Sequence, residues 1–241
     1  MQFLNSDINK YALEFMSTDW IITVACVIVL IFIVLYIGHK IPFSRKDKYA
    51  KFLAVLMIGF FIINHSFLFL LGKWELSKEL PVHLCSISGL ICCFIMFIPK
   101  NKRQFLFEFL FYCGIIGGVQ AILTPLIDDY GGYNFFYIQF FFKHAMIIAF
   151  PIYLRNNLGM KLTKFSWLKS WVILNIFMFI LIPLNNFLGS NYMYVNKPPA
   201  VDNPMVIGEW PTYLYWWELF VLILILLVFV IGKSKSFEKI N

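Results

Sequence analysis

Charge is scarce in this chain. Only 14% of its 241 residues are Asp, Glu, Lys or Arg, against roughly a quarter in soluble domains. With 61% hydrophobic and 20% aromatic residues, most of the surface cannot be solvated by water. A soluble domain is thereby excluded and an integral membrane protein expected. Metal-ligand spacing is also lacking. The five cysteines, Cys26, Cys85, Cys92, Cys93 and Cys113, contain no C-x-x-C pair, and no His-x-x-x-His or H-E-x-x-H stretch occurs. Neither a zinc centre nor a dithiol redox motif is indicated, and no cofactor is implied. No basic run precedes the first apolar stretch, so it does not read as a cleaved signal peptide. Neither end carries a lipidation box. There is no internal repeat and no basic domain, so the net charge of +7 does not suggest nucleic acid as a partner. It reads as a topology signal and a contact with anionic lipid.

Long apolar runs are abundant instead. Seven, at approximately 18–38, 50–72, 81–98, 105–127, 135–154, 167–189 and 211–232, have the length of about 20 residues that crosses a hydrocarbon core. The third is the shortest and is bracketed by Pro81 and Pro99. Of the 20 Lys and Arg residues, fifteen fall in one alternating set of loops and ends, around Lys40–Lys51, Lys100–Arg103, Arg155–Lys169 and Lys233–Lys239. Four (Lys10, Lys73, Lys78 and Lys197) fall in the other set, and Lys143 lies within a span. The positive-inside rule then puts the N-terminus outside and the C-terminus in the cytoplasm. The expected fold is all-α: a bundle of seven transmembrane helices forming one polytopic domain over 1–241, in a plasma membrane of bacterial type. The stretch DDYGGY (128–133) is expected as a tight outer turn, and 190–210 as an ordered, turn-rich outer cap. A tail ending KSKSFEKIN reads as a basic inner flank.

Helical rise converts position within a span into depth. His83, Thr124 and Cys85 fall within about 6 Å of the outer boundary, and Gln120, His65 and Glu218 at about 10 Å. Lys143 and His144 fall at roughly 13–15 Å. Five spans thus send polar groups into one layer of the outer half, joined by Asn64, Ser86, Ser88, Gln139, Asn185 and Asn186. Polar groups at bilayer depth normally face the bundle interior or a wet cavity, so an outward-facing polar cavity is expected. In the inner half only Glu108 and Asn175 stand out, with Glu108 in reach of Lys102 or Arg103.

Lys143 and Glu218 have opposite charge at similar depth. Their pairing is either an architectural ion pair or a device by which Lys143 tunes an acid or binds an anionic head group. Pro81 suits a first helical turn, and on that helix Val82 and Cys85 share a face. Cys85 and His144 are then candidates for a nucleophile and base, in which imidazole takes the thiol proton and the thiolate attacks an acyl carbonyl. Ser86 and Ser88 are alternative nucleophiles. Gly114, Gly117 and Gly118 permit close helix approach. Gln120 and Thr124, one turn apart, face either a substrate or a neighbouring helix.

Several stretches occur together and in order over about 60–230: LPVHLC, GGVQAILTP, KHAMIIAFPIYL, GSNYMYVNKP and GEWPTYLY. The set resembles the YwaF-like bacterial integral membrane family, which is grouped with the animal transmembrane protein 164 family. The resemblance implies an acyltransferase, transacylase or hydrolase acting on phospholipid-type acyl esters, with membrane lipids as partners and a lipid substrate in the outer leaflet. It also implies a catalytic His at His144, a second family His at His83, and a Cys nucleophile. This sequence reads Pro81-Val82-His83, so Val82 stands where the family has Cys, and the nucleophile role passes to Cys85. His83, Gln120, Lys143, Thr124, His65 and Glu218 would position the ester or stabilise its developing charge. The alternative is a non-enzymatic lipid or small-solute binding or transport protein that uses the same cavity.

Overall fold

The computed structural model describes residues 9–129, 134–199 and 206–234. Most of the expected 128–133 turn, part of the outer cap (200–205) and most of the basic tail lie outside the described residues. Strand β1 (Asn9–Ala12) pairs antiparallel with β2 (Leu126–Asp129), Asn9 opposite Asp129 and Ala12 opposite Leu126. This small sheet marks one end of the bundle, here the strand end; the opposite end, which carries most of the basic residues, is the basic end.

Between the strands the chain crosses back and forth. Helix α1 (Thr18–Lys40) begins at Ser17, whose Oγ accepts from the Trp20 N–H at 3.2 Å, with Asp19 in the first turn. A short polar cap followed by an acid suits the positive end of a helix dipole. Helix α2 (Phe43–Leu70) starts after Pro42, a residue that needs no N–H partner at a helix start. A single turn, α3 (Leu76–Glu79), leads to α4 (Leu84–Phe94). A short 3₁₀ turn, then α5 (Arg103–Phe109), a π-turn (Leu110–Gly114) and α6 (Ile115–Leu123) form one continuous helical run. Helices α7 (Asn134–Leu158), α8 (Ser166–Leu188) and α9 (Thr212–Ser234) complete the bundle.

Six of these runs are long and apolar enough to cross a membrane: Thr18–Lys40, Phe43–Leu70, Lys100–Leu123, Phe135–Leu158, Ser166–Leu188 and Thr212–Lys233. The expected third span differs. Of 81–98 only the 11 residues of α4 are α-helical, which is about 16 Å of rise. The chain arrives through non-helical residues at 80–83 and unwinds before Pro99. Arg103 holds that unwound end, donating to Ile98 O at 2.7 Å and Met96 O at 2.8 Å.

Helix α7 is the centre of the bundle, packing on α1, α2, α4, the π-turn and α6. Two glycines set its closest approach. A Cβ added at Gly114 would lie 2.5 Å from Ile147 O, and one at Gly118 would lie 2.6 Å from Ile148 Cγ1 and 3.0 Å from His144 O. Close backbone approach between small residues is how helices gain packing energy in lipid, where burial of apolar surface drives little. Their four-residue spacing presses the turn of α7 that carries His144 against α6.

At the basic end, Glu108 is 2% exposed and does not reach out to Lys102 or Arg103. Its Oε1 accepts from Gln104 Nε2 at 2.8 Å and from the Thr163 N–H at 2.9 Å. The acid therefore fastens the loop between α7 and α8, which satisfies its lone pairs better than an exposed lysine would.

Candidate functional site

The strand end of the bundle holds a strap of chain, 189–199, built on α8. Gly189 takes the left-handed conformation (φ 64°) that ends the helix, and Asn185, one turn earlier, anchors the strap. Its Nδ2 donates to Tyr192 O (3.0 Å) and Asn196 Oδ1 (2.8 Å), and its Oδ1 accepts from Tyr192 N–H (2.8 Å) and Ser190 Oγ (2.9 Å). This uses an asparagine's hydrogen-bonding capacity almost fully. Tyr192 OH donates to Leu76 O at 2.7 Å and accepts from the Leu80 N–H at 3.0 Å, tying the strap to the approach to α4. Burial raises the Tyr192 phenol above its ordinary value, so it stays a neutral donor. Met193 and Tyr194 both have positive φ, 53° and 55°, a region that side-chain-bearing residues enter only when surroundings hold them there. Part of that hold is the Met193 N–H, which donates to His83 Nδ1 at 3.2 Å.

Beneath the strap is a cavity of about 890 Å³, within the size range of small-molecule sites. All eight residues singled out from the sequence line it: His65 on α2, His83 before α4, Cys85 on α4, Gln120 and Thr124 on α6, Lys143 and His144 on α7, and Glu218 on α9. Asn64, Ser86 and Gln139 join them. Lys143 reaches the cavity along Gly89, where an added Cβ would meet its Cγ at 3.8 Å. Cys85 lies against α6, its Sγ 3.0 Å from where a Cβ at Gly117 would be. Cys85 and His144 therefore flank adjacent residues of α6, Gly117 and Gly118.

The three histidines are held in different states. His144 is only 3% exposed, and its Nδ1 lies 2.6 Å from Phe140 O. A carbonyl can only accept, so Nδ1 carries the hydrogen and Nε2 keeps a lone pair. His65 is the reverse: its Nδ1 accepts from Trp74 Nε1 at 3.1 Å, which leaves the hydrogen on Nε2. His83 likewise accepts at Nδ1, from the strap. One ring is thus set as a base and two as donors.

Several partnerships differ from those expected. Among the described residues the ion pairs are Lys51–Asp47 and Lys78–Glu75, both near the surface; the Lys143–Glu218 pair is not formed. Glu218 Oε2 accepts instead from Asn175 Nδ2 at 2.9 Å. Counting residues from span ends ignores the stagger between helices, which is why Asn175 reads as belonging to the other half. Val82 and Cys85 do not share a face. Helix α4 begins only at Leu84, and Val82 packs against the Leu181–Tyr192–Val195 cluster and is not among the cavity-lining residues. For the same reason His83 and Cys85, which face apart on an ideal helix, both line it. No hydrogen bond joins Cys85 to His144 among the described residues. Thr124, just past the end of α6, donates its Oγ1 hydrogen to Gln120 O at 3.0 Å. Asn185 is structural, and Ser88 is buried outside the cavity lining, its Oγ without a partner. Sequence reading missed Asn175 as the partner of Glu218, and also Tyr192 and Met193. Only the length and turn-rich composition of 190–210 hinted at the strap.

The arrangement offers a base nitrogen, a thiol, ring N–H donors, an ammonium and a carboxamide around one space. No group of three or more His, Cys, Asp or Glu able to hold a metal occurs among the described residues. The sequence profile of the TMEM164 family matches residues 15–229. No curated protein and no solved structure matches the chain.

Proposed function

The chain belongs to the TMEM164 family, and on that premise we propose that it is a membrane-embedded lipid acyltransferase or transacylase, hydrolysing when water is the acceptor. It acts on acyl esters of phospholipids from the cavity, with His144 as general base. The observation that carries this reading is the fixed tautomer of His144: the Phe140 carbonyl holds the Nδ1 hydrogen, so the basic Nε2 belongs to a residue that lines the cavity.

In this reading Nε2 takes the proton from Cys85, and the thiolate attacks the ester carbonyl carbon. The carbon–oxygen bond to the glycerol breaks, and the leaving oxygen takes the proton from Nε2. The acyl group rests on Cys85 as a thioester. A second lipid hydroxyl, or water, then gives its proton to Nε2 and attacks, and the Cys85 sulfur leaves and is reprotonated. His83, Gln120 and Lys143 supply donors and positive charge for the oxyanion, and His65 adds a ring N–H. Substrate binding has to bring Cys85 and His144 within hydrogen-bond reach or to one bridging water, a tightening common in enzymes.

The basic-residue bias supports an N-terminus outside, a C-terminus in the cytoplasm and a cavity mouth on the outer face of a bacterial-type plasma membrane. Opposite sides for the termini require seven crossings. The passage from Leu70 at the strand end to Lys100 at the basic end supports counting the segment of α4 as the third.

A second reading, non-enzymatic binding or transport of a lipid or small solute, is favoured by the absence of a Cys85–His144 bond. The test uses purified full-length protein with labelled phosphatidylcholine and a lysophospholipid. Acyl transfer is expected in the wild type and should fall at least about 100-fold in His144→Ala. Loss in Cys85→Ala assigns the nucleophile; activity kept there but lost in His144→Ala means that His144 activates the acceptor directly. No transfer in the wild type, with stabilisation by lipid, would establish the second reading.

A further inference from the structure

The cavity is polar at its mouth and apolar at its base. His65 and Glu218 lie about 8–9 Å from the strand ends of α2 and α9. On α7, Lys143 and His144 lie about 14–15 Å from the strand end, and the Lys143 stem borders Gly89; the rest of the lining at and below that level is Met57, Gly89, Cys93, Ile116, Leu174 and Leu224. Cys85, Gly89 and Cys93 follow at intervals of four, one face of α4, so Cys93 lies about 12 Å below Cys85. On the α9 wall Leu224 lies about 9 Å below Glu218. The depth thus holds a polar group near Cys85 and an extended apolar chain below it.

The walls of the cavity come from two groups of helices. Helices α8 and α9 pack on each other and on the π-turn, and α8 also on α5, but beyond stray contacts neither packs on α2, α6 or α7 among the described residues. The two groups face each other across the cavity, joined mainly by the α5–π segment below and by α3 and the strap above. An apolar recess of this kind does not hold water.

We propose that this apolar base is the binding site for one acyl chain of a glycerophospholipid that enters sideways from the bilayer, and that the depth set by Gly89, Cys93 and Leu224 limits the chain length accepted. The proposal rests on the lipid reading above and extends it to a subsite. Gly89 offers a control point. A Cβ there would meet Lys143 Cγ and Met57 Cε at 3.8 Å, ordinary contact, so alanine fits while leucine projects into the space.

The test uses full-length protein in nanodiscs containing a phosphatidylcholine with a diazirine at the end of one dodecanoyl chain. After illumination, labelled peptides are mapped by mass spectrometry. Label is expected at Cys93 on α4 and Leu224 on α9, kept in Gly89→Ala. It should drop at least about tenfold in Gly89→Leu and, from the opposite wall, in Leu224→Trp. Label confined to outward-facing residues such as Phe94 and Leu227 would overturn the proposal. The two readings separate cleanly. Label at Cys93 without His144-dependent transfer removes the reaction and leaves the chain site. His144-dependent transfer with label only on the outer faces removes the chain site and leaves the reaction.

Discussion

Replacing Asn185 with alanine should release the strap while the helices stay in place. Asn185 is 1% exposed and so is Tyr192, so water cannot substitute for the four hydrogen bonds that are lost. Two of the abandoned groups, the N–H and C=O of Tyr192, are buried backbone groups, and each costs about 1–3 kcal/mol when left unsatisfied. Ser190 and Asn196 are partly exposed and recover their bonds from water. The net loss is therefore about 2–6 kcal/mol, confined to the opening of residues 189–199. Amide hydrogen exchange reports that opening directly, because exchange through local unfolding accelerates with the equilibrium constant. Exchange across the strap should rise at least roughly 30-fold and up to about 20,000-fold, with little change in α7. Asn185→Asp should be almost as severe, since it keeps the acceptor but turns a carboxylate toward Tyr192 O and Asn196 Oδ1. Strap exchange within about threefold of wild type, or acceleration spread evenly over all helices, would refute the assignment of Asn185 as the local anchor.

Other expectations rest on single contacts. Val82→Cys supplies the residue that the family resemblance implies there but places the thiol in the Leu181–Tyr192–Val195 cluster; stability should change by less than about 1.5 kcal/mol, and acyl transfer should not increase. The Tyr192 phenol is raised above its ordinary value of 10.0 by burial. Its contribution is therefore complete below that pH and lost as pH rises past the folded-state value. Alkaline titration of strap exchange should show this loss, and Tyr192→Phe should remove the step along with the bonds to Leu76 and Leu80. Gly118→Ala forces a methyl into Ile148 and His144 O, which should cost about 1–3 kcal/mol in denaturation and lower acyl transfer by displacing His144. Gly89→Ala, with only ordinary contacts, should be near neutral in the same two assays.

The cavity residues were legible because the sequence offers few places for polar groups. In a chain this apolar, a histidine or lysine within a span has to face inward, and helical rise alone brings eight such positions to one depth. Partners were less legible. The bond from Asn175 to Glu218 depends on the stagger of α8 against α9, which no residue count contains. The start of α4 at Leu84, one turn later than Pro81 suggests, decides that Val82 turns away and His83 turns in. The strap's conformation at Met193 and Tyr194 is one that neither residue favours, so only the surrounding bonds specify it. Nothing in the sequence marks Leu110–Gly114 as a π-turn.

That π-turn acts as a phase shifter. A π-turn fits one extra residue into the helical run, and one residue is about 100° of rotation. Before it, Glu108 is aimed at the α7–α8 loop; from its last residue on, Gly114, Gly117 and Gly118 are aimed at α7 and at Cys85. Were Lys100–Leu123 an unbroken α-helix, one of these two alignments would be about 100° out of register. Deleting a single residue between 110 and 114 should therefore act as a rotation: the span stays helical and apolar, but the glycine face swings off His144 and Val119 or Gln120 swings on. The loop anchor and the cavity wall are thus adjustable independently in evolution, because a single extra residue sets the angle between them.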